Sequence, residues 1–544
     1  MDIPDVSDIP QYVQCLMDQK AKLELANTHQ GQRPVRKPRP QVIMQFHLAL
    51  KDSLGRPFMP GSFVKSSFVP PSYPPCQLPL SDLKKTAIRD LLLETHHRGT
   101  YLLARTVTPQ HRLTAVMAIV EDEQGDVLVL QLYHQEDDAE DVLVEGRVLI
   151  LKEPYLKLMS DGNCGLRVDH PCDAVFLEST DERIPPRWRQ QLLGVSTALA
   201  WKTKGNTHFG KAAYRSAIEC YTQALTCSPT PDETNTLRLN RALAHLRTGQ
   251  FEAALVDAEA GMLTPSGQPA EKALFRKAEA LFNLQRFREC CDVLKDLRLA
   301  YPSNEPAKHL LTRAISRLAE QTHGKYPFKE MRAEAARLRP PRLDRATYIG
   351  PVRVQDAGPR GRGLFTTRPV KAGELLLCEK AFAYAAVDGP GTILLDSEAG
   401  GKITMGASSD LIDATIRKLY HNPSLISKVT NLHHGSYHPL PATEADGKPI
   451  IDSFLLRRTL SLNTFGCPNQ PHSTSEDSTA SSLHPLASLL NHSCLSTARR
   501  VFIGDMLIAR ATRDLPEGAE LTWWYQLPTK GDRGVDLERT WGFR

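Results

Sequence analysis

The sequence predicts a multidomain α+β chain: a small N-terminal β domain, an α-helical solenoid and a C-terminal β-rich domain. Three observations predict it. β-branched and apolar runs broken by Gly and Asp turns fill residues 81–180. Small and aromatic residues recur at a near-constant period over 188–322. Short apolar runs punctuated by glycine return after residue 346.

The bulk properties set limits. A chain of 544 residues has room for about three domains. The net charge of +5 is modest, so composition gives no case for a nucleic-acid partner. No run of about 18 apolar residues exists and the first ten residues are acidic, so neither a membrane span nor a signal peptide is expected. Eleven cysteines are scattered without a Cys-x-x-Cys pair, which fits a reducing compartment, cytoplasmic or nuclear.

Residues 1–80 are rich in proline and polar groups and read as tail and linker, with one helix near 12–26. The basic stretch 33–39 is interleaved with Pro34 and Pro38 and followed by Pro40, and reads as a solvated, extended linker. Residues 82–94 read as a helix. The runs 113–120, 127–132, 142–151 and 174–177 read as strands, giving a barrel-like domain over 81–180. Such a barrel can bind oligonucleotides, but no stacking-aromatic pattern is present, and a docking or structural module is the better reading.

In the next block, Gly205-Asn206, Phe209, Tyr214, Ala217, Tyr221, Ala224 and Pro229 fall in the pattern of two packed helices, and it resembles a tetratricopeptide repeat. Phe251 with Ala254 and Phe287 with Cys290 repeat Tyr214 with Ala217 at offsets of 37 and 36 residues. Residues 310–319 would be the capping helix that a stacked array needs. Lys202 and Asn206 lie four apart on one helical face, Asn240 sits in the matching helix of the second unit, and Lys272 and Arg276 in that of the third. The five resemble the two-carboxylate clamp of repeat proteins that hold the C-terminal tails of heat-shock chaperones. Lys, Arg and Asn donors suit a chain terminus that offers two carboxylates. Residues 323–345 read as a linker.

The C-terminal block carries Gly361-Arg362-Gly363-Leu364-Phe365, then Ala372-Gly373-Glu374, then Asn491-His492-Ser493-Cys494, Gly504-Asp505 and Glu520-Leu521-Thr522-Trp523-Trp524-Tyr525. In this order they resemble a SET domain, over 346–544 with a helical insertion at about 390–450. That resemblance implies a protein-lysine methyltransferase that uses S-adenosylmethionine and acts on a protein substrate with a target lysine. It implies cofactor contacts from Gly361, Arg362, Gly363, Asn463, Asn491, His492 and Phe543, and a catalytic role for Tyr525. Of Trp523 and Trp524, one is expected to line the lysine channel and the other to pack in the core. The combination of domains is similar to that of fungal proteins that join repeats to a SET domain, related to the SET-and-MYND group.

Three departures from that group stand out. Residues 380–460 contain no cysteine, so the zinc module inserted there in the SET-and-MYND enzymes is not expected; 408–432 reads as helical instead. Leu495-Ser496-Thr497 replaces the usual Pro-Asn after the Asn-His-Ser-Cys motif. No Cys-x-Cys-x-x-Cys segment follows Tyr525, which leaves Cys494 without zinc partners, and zinc is not expected. A longer chain, an enzyme that works without that segment and a domain that has lost activity remain the three readings. The alternative function is accordingly a non-catalytic repeat scaffold or chaperone-tail adaptor with a degenerate SET domain. The Ser- and Thr-rich stretch 468–482 reads as a surface insertion.

Overall fold

The computed structural model describes residues 10–54, 65–136, 139–159, 162–189, 197–262, 270–386, 392–396, 403–468 and 479–525. The architecture is mixed α+β, with a strand-rich N-terminal domain, an array of helix pairs and a strand-rich C-terminal domain.

The N-terminal domain is a ten-stranded sheet whose path begins at Ala174–Phe176 and ends at Thr95–His96. Its central strands Val116–Glu121 and Val127–Leu132 read as nearly unbroken apolar runs because both faces are covered. One face closes over a core that includes Leu102, Leu130, Leu149 and Leu166. The other lies under the helix Arg39–Leu54, whose Phe46 and Leu50 pack on Ile119, Val127 and Val129. That helix falls in the stretch expected to be linker; Val42, Phe46 and Leu50, four apart, give it one apolar face. The basic stretch ahead of it is extended but docked, with Arg36 donating to the Arg89 carbonyl and Arg39 paired with Glu121.

Residues 82–94 differ from expectation. They form the strand Lys84–Thr86 and the 3-10 turn Ile88–Asp90 rather than a helix. Lys84–Thr86 pairs in parallel with Thr100–Leu102, and Ile88, Leu91 and Leu93 are drawn into the sheet's core. Tertiary burial overrides the local helical pattern.

The repeats form as three helix pairs. Ala198–Gly210 packs on Tyr214–Thr226, Pro231–Arg247 on Phe251–Ala260, and Glu271–Asn283 on Phe287–Ala300, before the longer helix Glu305–His323. Gly205 is required by closeness of approach: a Cβ there would sit 2.6 Å from the Tyr221 ring. Residues 328–337, within the expected linker, form the helix Phe328–Arg337, which buries Met331 and Ala335 against Ile503, Met506 and Ile508. The expected insertion contains the helices Ala407–His421 and Ile426–Thr430.

The three blocks meet at one junction. Residues 133–136 of the N-terminal domain reach the helix Ala407–His421, where His134 Nδ1 lies 2.6 Å from Asp413 and Arg417 donates to the Gln135 carbonyl. Glu136 binds Arg215 of the repeats at 2.6 Å and His421 at 3.0 Å. Fully buried Asn422 accepts from the backbone N–H groups of Phe251 and Glu252 at 3.0 and 3.3 Å. These are orphan donors of a helix start whose own N-cap, Gln250, supplies no side-chain bond. The C-terminal block therefore caps a helix of the repeats.

Burial opposes ionisation of Glu136, but the Arg215 guanidinium and the His421 hydrogen bond outweigh it and hold the carboxyl well below its usual range. A depressed folded pKa gives stability that is present above the unfolded value of 4.5 and lost as pH falls below it. Glu136→Gln is expected to cost about 2 kcal/mol near neutral pH. The parent and variant denaturant-unfolding curves should converge as pH drops below about 4; a constant gap across pH would show that Glu136 does not act through its charge.

Candidate functional site

Three motifs distant in sequence are brought side by side by strand pairing. The strand Glu520–Trp523 pairs on one edge with Arg362–Thr366, antiparallel, and on the other with Asn491–His492, parallel. Asn491 thus lies opposite Thr522, and His492 opposite Trp523. The helix Ser453–Asn463 delivers Asn463 next to the turn that leads into this strand, where Ser488 Oγ donates to the Asn463 carbonyl.

The glycine turn is shaped by its backbone. Gly361 has φ +73° and ψ −126°, a region that only glycine enters without strain. Two residues on, a Cβ on Gly363 would meet Glu520 Oε1 at 3.1 Å and Asn491 Nδ2 at 3.2 Å. The missing side chain at Gly363 lets Asn491 and Glu520 close up against the turn.

Glu520 organises that contact. Its Oε1 accepts from Asn491 Nδ2 at 2.9 Å, and its Oε2 forms an ion pair with Arg360. Asn491 Nδ2 also points to the Arg362 carbonyl, at 3.4 Å. The Arg362 guanidinium itself reaches the Asn431 carbonyl of the insertion. Both amide N–H donors of Asn463 are taken, by the His433 and Thr459 carbonyls, each at 2.7 Å. Arg362 and Asn463 therefore tie the turn and the helix end to the segment 431–433, whatever else they contact.

Tyr525 and His492 form a unit. His492 Nδ1 accepts from the Tyr525 backbone N–H at 3.2 Å, and the two rings meet edge to face at 5.5 Å. Burial lowers the His492 pKa, so the imidazole is neutral near pH 7 and its Nδ1 stays an acceptor. Tyr525 is buried, and burial with the nearby Glu520 charge raises its phenol well above the usual 10, so the hydroxyl keeps its proton. Trp523 is in the core against Phe465, with Arg500 over its ring. Trp524 is 41% exposed and donates from Nε1 to the Cys494 carbonyl at 2.7 Å. Cys494 is exposed, its Sγ 3.6 Å from His492 Nε2. Among the described residues no three His, Cys, Asp or Glu side chains are grouped to hold a metal ion. Phe543 lies outside the described residues.

In the repeats the structure joins Asn206 and Asn240. Asn206 Oδ1 accepts from Asn240 Nδ2 at 3.3 Å and from the Tyr221 hydroxyl at 2.8 Å. Arg276 lies near Tyr221, and its Nη1 is buried with no hydrogen-bond partner among the described residues. Burial lowers the Arg276 pKa, and the nearby Glu279 charge offsets this only in part. Lys272 is exposed one turn earlier on the same helix, and Lys202, half-buried, lies one turn before Asn206.

Four residues of these sites carried no role in the sequence reading: Glu520, Arg360, Tyr221 and Asn431. Glu520 had a signal, an acid opening the otherwise uncharged strand Leu521-Thr522-Trp523. Tyr221 was absorbed into the repeat pattern. Arg360 and Asn431 act only through contacts across 160 and 69 residues of chain, which no local pattern records.

Comparison with known proteins gives the family. Residues 361–526 match the SET domain family. A protein of Gibberella zeae named "Methyltransferase" is 36% identical over 572 residues, covering all of this chain and 76% of that protein. Protein-lysine N-methyltransferase SMYD4 of Gallus gallus is 28% identical over 212 residues, 37% of this chain and 29% of its own length. Among solved structures, the second tetratricopeptide domain of human RPAP3, in complex with an HSP70 peptide, is 28% identical over 22% of this chain and 94% of that one, with a TM-score of 0.20. A relative at that identity over the whole of this chain and a SET match over residues 361–526 lead to one conclusion: the chain belongs to the SET-domain methyltransferases and carries a helical repeat module ahead of its SET domain.

Proposed function

We propose that the C-terminal domain is an S-adenosylmethionine-dependent protein-lysine methyltransferase. The observation that supports this reading most is the convergence of the Gly361–Gly363 turn, Asn491 and the His492–Tyr525 pair on the two edges of one strand. The residues fit the cofactor. Gly361 leaves the backbone of the turn open, Gly363 lets Asn491 close against it, and Asn491 and His492 stand together on the short strand beside it. The Gly361–Gly363 turn, Asn491 and His492 would hold it, and when bound it supplies the electrophilic methyl group.

The chain's own residues have three tasks. A lysine side chain, with a reference pKa of about 10.4, must lose its proton before it can act as a nucleophile, which calls for a dry approach. Tyr525 and Trp523 belong to one buried apolar cluster, which supplies dry surroundings at this point. The Tyr525 hydroxyl, held protonated, is suited to orient an amine rather than to remove its proton. Alignment of that kind supplies most of the rate in an in-line transfer. Glu520 positions Asn491 and, through Arg360, the glycine turn.

The repeats supply docking. Asn206, Asn240 and Tyr221 form one polar network, with the unpartnered Nη1 of Arg276 beside it, and we read this as a seat for a peptide's C-terminal carboxylates. Tails of heat-shock chaperones are the partner class that fits. A carboxylate would satisfy the donor that Arg276 now buries unpaired.

Two experiments test the two halves. Titration calorimetry of S-adenosylmethionine into the full chain should give saturable binding that Asn491→Ala weakens by at least about tenfold. Tyr525→Phe should keep that binding and lose about a hundredfold in methyl transfer to a lysine peptide. Binding untouched by Asn491→Ala would contradict the site. For the repeats, Lys272→Ala with Arg276→Ala should abolish binding of a peptide ending in Glu-Glu-Val-Asp, and amidating that peptide's C-terminus should do the same. Equal affinity for the acid and the amide would overturn the clamp.

A further inference from the structure

On the face of the SET domain opposite Trp523, the helix Phe328–Arg337 and the strands Ala498–Ile503 and Met506–Ala511 enclose a cleft of about 250 Å³. Three arginines rim it: Arg332 from the helix, and Arg499 and Arg510 from the two strands. Val501 and Ile508, paired across the strands, form its floor, and Phe328 closes one side. Among the described residues no acidic side chain lines the cleft.

The arrangement is unfavourable in isolation. Arg499 and Arg510 are direct cross-strand partners in the antiparallel register, which sets two like charges about 5 Å apart at the Cα atoms. Like charges in that position destabilise a sheet. Arg510 is fixed by a 2.8 Å bond to the Gly373 carbonyl and by its stack on Phe328, 5.3 Å from the ring centre. Arg332 and Arg499 have no hydrogen bond or ion pair among the described residues and are exposed. By contrast, Arg345, Arg360 and Arg368 of the same region each find a carboxylate. The floor is unusual as well, since Val501 is 45% exposed on the sheet's edge strand.

We propose that this cleft is a second docking site, separate from the methyl-transfer site and from the repeats, for an acidic segment of a partner protein that also inserts one aliphatic side chain. Carboxylates would answer the three unbalanced arginines with charge-assisted, bidentate bonds, and the aliphatic group would cover Val501 and Ile508. A nucleic acid fits less well. The cleft is a single pocket rather than a basic stripe, its floor is aliphatic, and the chain's net charge is only +5. The site lies behind the catalytic sheet: Arg500, next to Arg499 in the strand, points the other way and stacks on Phe465 and Trp523. Occupation of the cleft would therefore hold a partner against the SET domain without entering the methyl-transfer site.

The test uses the full chain with Lys272→Ala and Arg276→Ala, so that the repeat clamp makes no contribution. A fluorescent peptide of about ten residues, rich in Glu with two leucines and capped at both ends, is titrated by anisotropy at low and high salt. The proposal expects binding that weakens with salt, falls at least about tenfold in Arg499→Glu and in Arg332→Glu, and falls less in Arg499→Ala. Arg332 and Arg499 are both exposed, and S-adenosylmethionine titration of each variant checks that the domain is intact. Peptide affinity unchanged by Arg499→Glu in a folded protein would overturn the proposal. So would competition by a short single-stranded RNA that binds more tightly than the peptide and depends on the same arginines.

Discussion

One short strand, Glu520–Trp523, is the constraint on which the site rests. It has four residues, yet its two edges recruit the glycine turn from about 160 residues upstream and the Asn491-His492 pair from about 30. Its first residue then locks both neighbours, since the Glu520 carboxylate binds Asn491 with one oxygen and Arg360 with the other. The residue that follows the strand by two, Tyr525, is held by His492 through a backbone N–H. Backbone pairing sets the register, and a single carboxylate removes the remaining freedom. Charge-assisted hydrogen bonds of this kind are among the stronger ones available to a partly exposed site.

The same logic operates at the scale of domains. Beside an apolar cluster of Val69, Tyr73, Tyr155 and Phe454, the N-terminal sheet, the repeats and the SET insertion are joined by specific polar contacts in which each partner completes something the other lacks. Asn422 completes the start of a repeat helix, Glu136 neutralises Arg215 and engages His421, and the buried His170 meets Ser453 at the head of the helix that ends in Asn463. The chain from the N-terminal domain to the candidate cofactor site is therefore continuous: His170 fixes the start of the helix Ser453–Asn463, and its last residue abuts the turn before Asn491. His170 thus links the N-terminal domain to the helix that carries Asn463.

Much of this was legible in the sequence, and the rest was hidden for identifiable reasons. The repeat period and the ordered SET motifs were visible because each depends on residues close in sequence. The helix Arg39–Leu54 was obscured by Pro34, Pro38 and Pro40, although Val42, Phe46 and Leu50 already carried its four-residue spacing. Residues 82–94 have helical composition, but the core of the sheet claims Ile88 and Leu91. The helix Phe328–Arg337 has only two buried positions, Met331 and Ala335, too few to show as a stripe. Glu136, Asn422 and Arg360 were beyond reach, since each gains its meaning from a partner more than 75 residues away. The basic cleft behind the SET sheet belongs to the same class: Arg499 and Arg510 become neighbours only when two strands pair.

The central claim is that the cofactor is held where the glycine turn, Asn491 and the His492–Tyr525 pair converge. Hydrogen–deuterium exchange of the full chain with and without S-adenosylmethionine addresses it directly, because it reports protection by position. The account predicts slower exchange, on addition of the cofactor, in peptides spanning 360–366, 490–494 and 520–525 together, with the repeats unchanged. Protection elsewhere, or in none of these three segments while binding is demonstrably saturated, would contradict it.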